Sequence, residues 1–178
     1  MIIILTQCFP TRVGGIETLM YDIASYLSKK YEVKVLADQQ DAYKDSEFDK
    51  NNTNFSILRF RGLKFFRKRK KFNQLKKIFY VNKIDVVITD SWKSLETPIN
   101  FLIEKKIPTL SLVHGNEIIT KNVTHQNRIK KILDLTNAVV VNSTYTKNLL
   151  TNISKNLKRI EVIYPGVSSS KNTKEQSI

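Results

Sequence analysis

The residues with chemical potential gather in four short polar stretches, each following an apolar run. The first, Phe9-Pro10-Thr11-Arg12-Val13-Gly14-Gly15-Ile16-Glu17, sets two glycines directly before a helical pattern. Glycines let a backbone approach a ligand closely, and the unpaired N–H groups of a first helical turn favour phosphate oxygens. An ordinary turn would use the same pair with no ligand, so from these residues alone both readings stand. The second stretch is Thr89-Asp90-Ser91-Trp92, a carboxylate, a hydroxyl and an indole suited to sugar hydroxyls and ring stacking, or to capping the next helix. The third, Val113-His114-Gly115-Asn116-Glu117, offers an imidazole to a ligand or a cap to the following segment. The fourth, Val141-Asn142-Ser143-Thr144-Tyr145-Thr146, again supplies good helix caps.

Several chemistries find no support. The dinucleotide fingerprint G-x-G-x-x-G and the Walker A pattern are missing, which argues against a nicotinamide oxidoreductase and a P-loop nucleotidase. With His114 and His125 as the only histidines and no suitable Cys/His or carboxylate spacing, no metal site is expected. The lone cysteine, Cys8, excludes an internal disulfide framework, suits a reducing, intracellular setting, and reads as a packing residue rather than a nucleophile.

The elements that must position these stretches are short β-branched runs: Ile2 to Leu5, Glu32 to Leu36, Phe55 to Phe60, Asp85 to Thr89, Thr109 to Val113, Ala138 to Val141 and Arg159 to Ile163. Between them fall helical periodicities, with Ile16, Leu19, Met20, Ile23, Ala24 and Leu27 on one face and Pro98, Phe101, Leu102 and Ile103 on another. Strand and helix alternate, so crossover connections predict an α/β, Rossmann-like, doubly wound and mostly parallel sheet with helices on both faces. Ligands then bind at the strands' carboxyl ends. A length of 178 residues favours one domain, taken as 1–167, followed by an exposed polar tail over 168–178 after the Pro165-Gly166 turn. The opening apolar run stops at Thr6, and neither a signal peptide nor a membrane-spanning helix is expected.

The net charge of +14 is concentrated locally. Between Arg59 and Lys77 stand ten Lys or Arg and no acid, interleaved with Leu63, Phe65, Phe66, Phe72, Leu75, Ile78 and Phe79. Such a stretch suits an anionic membrane surface, with Arg67, Lys68, Arg69, Lys70 and Lys71 as its contacts. Phe72, Leu75, Ile78 and Phe79 recur at helical spacing and are read as core. Nucleic-acid binding is disfavoured, because no reading motif accompanies the charge.

In order and spacing, Pro10 with Gly14-Gly15-Ile16-Glu17, Tyr31-Glu32-Val33-Lys34-Val35-Leu36, Asp85-Val86-Val87-Ile88, His114-Gly115-Asn116-Glu117, Val140-Val141-Asn142-Ser143 and Ile163-Tyr164-Pro165-Gly166-Val167 resemble the N-terminal domain of family-4-type retaining glycosyltransferases of GT-B architecture. The resemblance implies a single half of a GT-B fold, the acceptor-side one. It implies that Gly14 and Gly15 approach the donor diphosphate, that His114 is the catalytic-site residue beside the transferred sugar, and that Glu17, Asp90, Trp92, Asn142 and Ser143 face the acceptor. The implied reaction moves a hexosyl unit from a nucleoside-diphosphate sugar to a glycan or glycolipid hydroxyl with retention, in envelope polysaccharide or glycolipid synthesis, without metal or other cofactor. A C-terminal donor-binding domain is not found in this sequence and would come from another chain or a longer form; alone, this half is expected to be inactive. The implied place is the cytoplasm, peripheral to the inner face of the membrane. The alternative is a non-catalytic membrane-surface or glycan-binding module derived from that fold.

Overall fold

Residues 1–166 are described by a computed structural model; Val167 and the tail expected over 168–178 lie outside the described residues. The chain runs β1 (Ile2–Thr6), α1 (Gly15–Ser28), β2 (Val33–Asp38), α2 (Ala42–Asn51), β3 (Ser56–Phe60), α3 (Lys64–Val81), β4 (Val86–Thr89), α4 (Trp92–Leu95), α5 (Ile99–Glu104), β5 (Thr109–Val113), α6 (Val123–Leu135), β6 (Ala138–Val141), α7 (Thr144–Ile153) and β7 (Ile160–Val162). Each of the seven expected strands forms. Their β-branched residues suit a pleated surface, and β1, buried along its whole length, has neighbours on both sides.

The strands make one sheet in the order β3-β2-β1-β4-β5-β6-β7, and every pairing is parallel. Because side chains alternate across a strand, β1 feeds two cores. Ile2 and Ile4 join Met20 and Ala24 of α1 and Val35 and Ala37 of β2, with Phe48 of α2 packed against them. Ile3 and Leu5 join Leu75 and Ile78 of α3, Leu102 of α5, Leu133 of α6 and Leu150 of α7. Helices therefore cover both faces. The chain order reverses between β1 and β4, and at such a switch point the loops leaving the carboxyl ends part to form a crevice.

Two details of the helices differ from expectation. The apolar face between β4 and β5 comprises Leu95, Pro98, Ile99 and Leu102 with Phe101 packed against the same core, as expected for Pro98, Phe101 and Leu102, whereas Ile103 is exposed, since the chain bends at Pro98 and starts a new helix there. α3 buries Leu75 and Ile78 and half-buries Phe72 and Phe79, as the helical spacing predicts. Lys71, expected on a membrane-facing surface, is instead buried on that same face. Its ammonium lies 2.7 Å from Asp38 Oδ1 and donates to the Thr6 carbonyl at 2.8 Å. Arg67 also turns inward, with Nε 3.2 Å from Asp38 Oδ2, and Lys68 pairs with Glu96. A buried charge is tolerated when paired and hydrogen-bonded. Only Arg69 and Lys70 of the five expected membrane contacts stand exposed. Among the described residues, no helix is long and apolar enough to cross a membrane.

Candidate active site

α1 begins at the crevice with little to satisfy its first turn. Gly14, the residue before it, has no side chain, and the first intrahelical bond runs from Thr18 N to the Gly14 carbonyl. The N–H groups of Gly15, Ile16 and Glu17 consequently lack helical acceptors, and they carry the positive end of the helix dipole. The two glycines answer different demands. A Cβ on Gly14 would come 2.2 Å from Glu17 Oε2, so any larger residue displaces that carboxylate; a Cβ on Gly15 meets nothing within 4 Å.

Glu17 is buried at 4% exposure and pairs with Arg12 at 3.1 Å. Its carboxylate also reaches Cys8. Burial first, then the charges of Asp90 and Glu17, push the Cys8 thiol up to about 12. A thiol held there stays protonated near neutrality and is no nucleophile.

Asp90 ties the neighbouring loops together. Its Oδ2 accepts from Thr6 Oγ1 at 3.0 Å and from the backbone N–H groups of Gln7 at 2.8 Å and Cys8 at 3.2 Å, and its Oδ1 accepts from Ser94 Oγ at 2.6 Å. The same residue's main-chain carbonyl lies 3.0 Å from His114 Nε2. A carbonyl only accepts, so Nε2 is the donor in this contact.

The His114 backbone is fixed as well. Its N–H donates to Glu117 Oε1 at 2.7 Å, and its carbonyl accepts from Asn142 Nδ2 at 3.4 Å. Gly115 next to it has φ of +107°, where a side chain would be strained, and a Cβ there would sit 3.2 Å from Thr146 Oγ1. Thr146 donates in turn to Asn142 Oδ1 at 2.9 Å. Loops following β1, β4, β5 and β6 thus meet in one hydrogen-bonded junction around a half-buried imidazole.

The structure brings Gly14, Gly15, His114, Asn142 and Ser143 to the carboxyl rim and turns three other expected contacts inward. Trp92 is 1% exposed, with its indole N–H on the Glu117 carbonyl and its ring beside His125, so it presents no face for a sugar to stack on. Asp90 and Glu17 are buried, and their carboxylates face protein donors. Each therefore fits positioning better than acceptor contact. Ser143 caps α7, accepting from Thr146 N at 3.1 Å, and remains partly exposed. Glu117 and Thr146 hold His114 and Asn142; the sequence places both in the polar stretches without giving either a role, and the signal for Glu117's role is its spacing three residues after His114, as in a capping box.

A family model, Glycosyltransferase Family 4, matches residues 13–171. The chain belongs to Glycosyltransferase Family 4. No curated protein sequence matches it. Its fold is similar to solved members of the GT-B glycosyltransferases at low identity. The HepE protein of Anabaena in complex with UDP aligns with a TM-score of 0.69 and 15% identity over 93% of this chain and 44% of that one. Sucrose-phosphate synthase from Thermosynechococcus elongatus gives 0.69 and 16% over 93% and 48%. The lipopolysaccharide outer core galactosyltransferase WaaB, in its apo form, gives 0.63 and 14% over 94% and 46%. The family-4 chain described here therefore spans about half the length of these structures and forms one Rossmann-like half of the GT-B fold.

Proposed function

We propose that this chain is the acceptor-side half of a retaining glycosyltransferase that moves a hexosyl unit from a nucleoside-diphosphate sugar to a glycan or glycolipid hydroxyl. The observation that carries the reading is the glycine-led start of α1, with unpaired N–H groups, at the same rim as a His114 ring fixed by Asp90. A neighbour of the same fold was solved with UDP and with UDP-glucose, which supports a nucleotide-sugar donor. In this reading the first turn of α1 steadies the departing diphosphate, and His114 hydrogen-bonds the sugar being transferred. The Asn142 and Ser143 side chains contact the acceptor. Glu17 and Asp90 position the glycine turn and the imidazole.

A single wall cannot exclude water or surround a diphosphate, so turnover requires a second, donor-binding half, from a longer form or a separate chain. No metal takes part in this scheme, and the work is done at the inner face of the membrane in envelope polysaccharide or glycolipid synthesis. The test is the stereochemistry of transfer by the two halves together. With an α-linked donor such as UDP-glucose, proton NMR of the fresh product is expected to show the α anomer. A β product overturns retention, and an absence of transfer from any nucleoside-diphosphate hexose overturns the function.

A further inference from the structure

The basic segment leaves one feature that neither the fold nor the rim explains. α3 starts after Leu63 with no side chain capping it, and its first turn holds Lys64 and Arg67 but no acid; Asp38 pairs with Arg67 and leaves Lys64 without an acidic partner among the described residues. Cations at the positive end of a helix oppose its dipole, so this arrangement is unfavourable unless an anion relieves it. Beside that turn opens a cleft of about 690 Å³ lined by Lys64, Phe65, Lys68, Arg69, Glu96 and Arg128.

Four cations there face one acid. Glu96 is occupied: Lys68 Nζ donates to its Oε2 at 2.8 Å and Arg128 Nε to its Oε1 at 2.9 Å, with Arg128 Nη2 on the same oxygen. Burial opposes ionisation of Glu96, but these donors outweigh it and hold the carboxyl below its ordinary range. Arg128 also lies over the Trp92 ring, 5.8 Å from its centroid, so the buried indole and Glu96 together fix this guanidinium at the cleft. Lys64 and Arg69 have no acidic partner among the described residues, which leaves a surplus of positive charge. Phe65, which lines the cleft, is 69% exposed and stands edge-on to Phe66, 54% exposed, and Leu63 just before the turn is 74% exposed. Inward, Lys68 and Thr97 also border a smaller pocket with Gln7 and Ser94, and Ser94 donates to Asp90, whose carbonyl holds His114.

We infer that this cleft binds the phosphate of an amphiphilic acceptor, with Lys64, Arg69 and Arg128 on the phosphate oxygens and the acceptor's apolar chain on Leu63, Phe65 and Phe66. Guanidinium and ammonium groups suit phosphate, and a neutral glycan would have no use for this charge. The inference rests on the transferase reading only in calling the ligand an acceptor.

Binding is measured by calorimetry on the full chain without donor, using decyl phosphate below its micelle concentration, decyl glucoside and inorganic phosphate. Decyl phosphate is expected to bind at least about tenfold tighter than either of the others, because only it satisfies both parts of the cleft. The double variant Lys64→Gln, Arg69→Gln should weaken it about tenfold or more, whereas Lys50→Gln, Lys155→Gln, with the same charge change at exposed positions elsewhere, should leave it within about twofold. Thermal unfolding confirms that each variant is folded; these side chains are exposed. Equal weakening by both double variants overturns the cleft, as does equally tight decyl glucoside. Inorganic phosphate binding as tightly overturns the apolar half. Binding to anionic vesicles without binding to monomeric decyl phosphate replaces the site by a general membrane surface. Failure of decyl phosphate to bind while the two halves still transfer sugar overturns the cleft alone, and binding without any transfer overturns only the transferase reading.

Discussion

Gly15→Trp is expected to reduce kcat/KM for sugar transfer by the complete protein at least about 100-fold while leaving the fold intact. The steric reason is local. Gly15 is exposed at the first position of α1 and a Cβ there meets nothing within 4 Å, so the indole is accommodated without disturbing either core. It nevertheless fills the space over the N–H groups of Gly15, Ile16 and Glu17, where the diphosphate is proposed to sit. Loss of one preorganised donor to a developing negative charge costs roughly 10²–10³ in rate, and displacement of bound substrate by about 1 Å costs a similar factor. Steady-state kinetics read the loss, and an unchanged thermal midpoint within about 2 °C verifies the fold, since replacing glycine at a helix start is close to neutral. Wild-type turnover by this variant would remove the diphosphate from the α1 terminus.

His114→Ala is expected to lower kcat by about 10²–10³ with a smaller change in the donor KM. The ring is held by one hydrogen bond from Nε2 to the Asp90 carbonyl, while Glu117 and Asn142 grip only the His114 backbone, so truncation removes the imidazole and spares the junction. The lost hydrogen bond is worth about 1 kcal/mol of stability, a small shift in melting. An interaction that strengthens on the way to the transition state appears in kcat rather than in KM. A variant with raised KM and unchanged kcat would make His114 a ground-state binder only.

The central strands were legible because burial on both faces favours β-branched residues in unbroken runs, and the expected limits of all seven fall within two residues of the observed ones, as in Glu32 to Leu36 against Val33–Asp38. α1 and α3 were legible from their periodic apolar faces. α2 was not, because Ala42–Asn51 has no apolar stripe: its buried residue is Asp45, which accepts from Thr11 Oγ1 at 2.7 Å and Gln40 N at 2.8 Å and faces Arg59 at 3.5 Å. Thr11 lies 34 residues from Asp45, beyond the reach of any local pattern.

The polar stretches stand at the strands' carboxyl rim, where their place after each strand put them, but several of their side chains face inward. Position at a strand's carboxyl end is a sequence property; the direction a side chain takes there depends on distant neighbours. Asp90 answers to Thr6, Gln7 and Cys8, more than 80 residues earlier, and Trp92 to Glu117, His125 and Arg128. Lys71 illustrates the opposite lesson. It stands four residues before Leu75, on the face already assigned to the core, so its burial follows from helical geometry once charge is no longer taken as proof of exposure.

A donor diphosphate seated on the glycine turn of α1 is central to the proposed function, and amide chemical shifts report that seat directly. In a ¹⁵N-labelled complete protein, saturating UDP is predicted to shift the amide resonances of Gly14, Gly15 and Ile16 and to leave those of Lys155 and Asn156, after α7 at the opposite rim, in place. Full saturation with UDP and unmoved Gly14, Gly15 and Ile16 amides would contradict it.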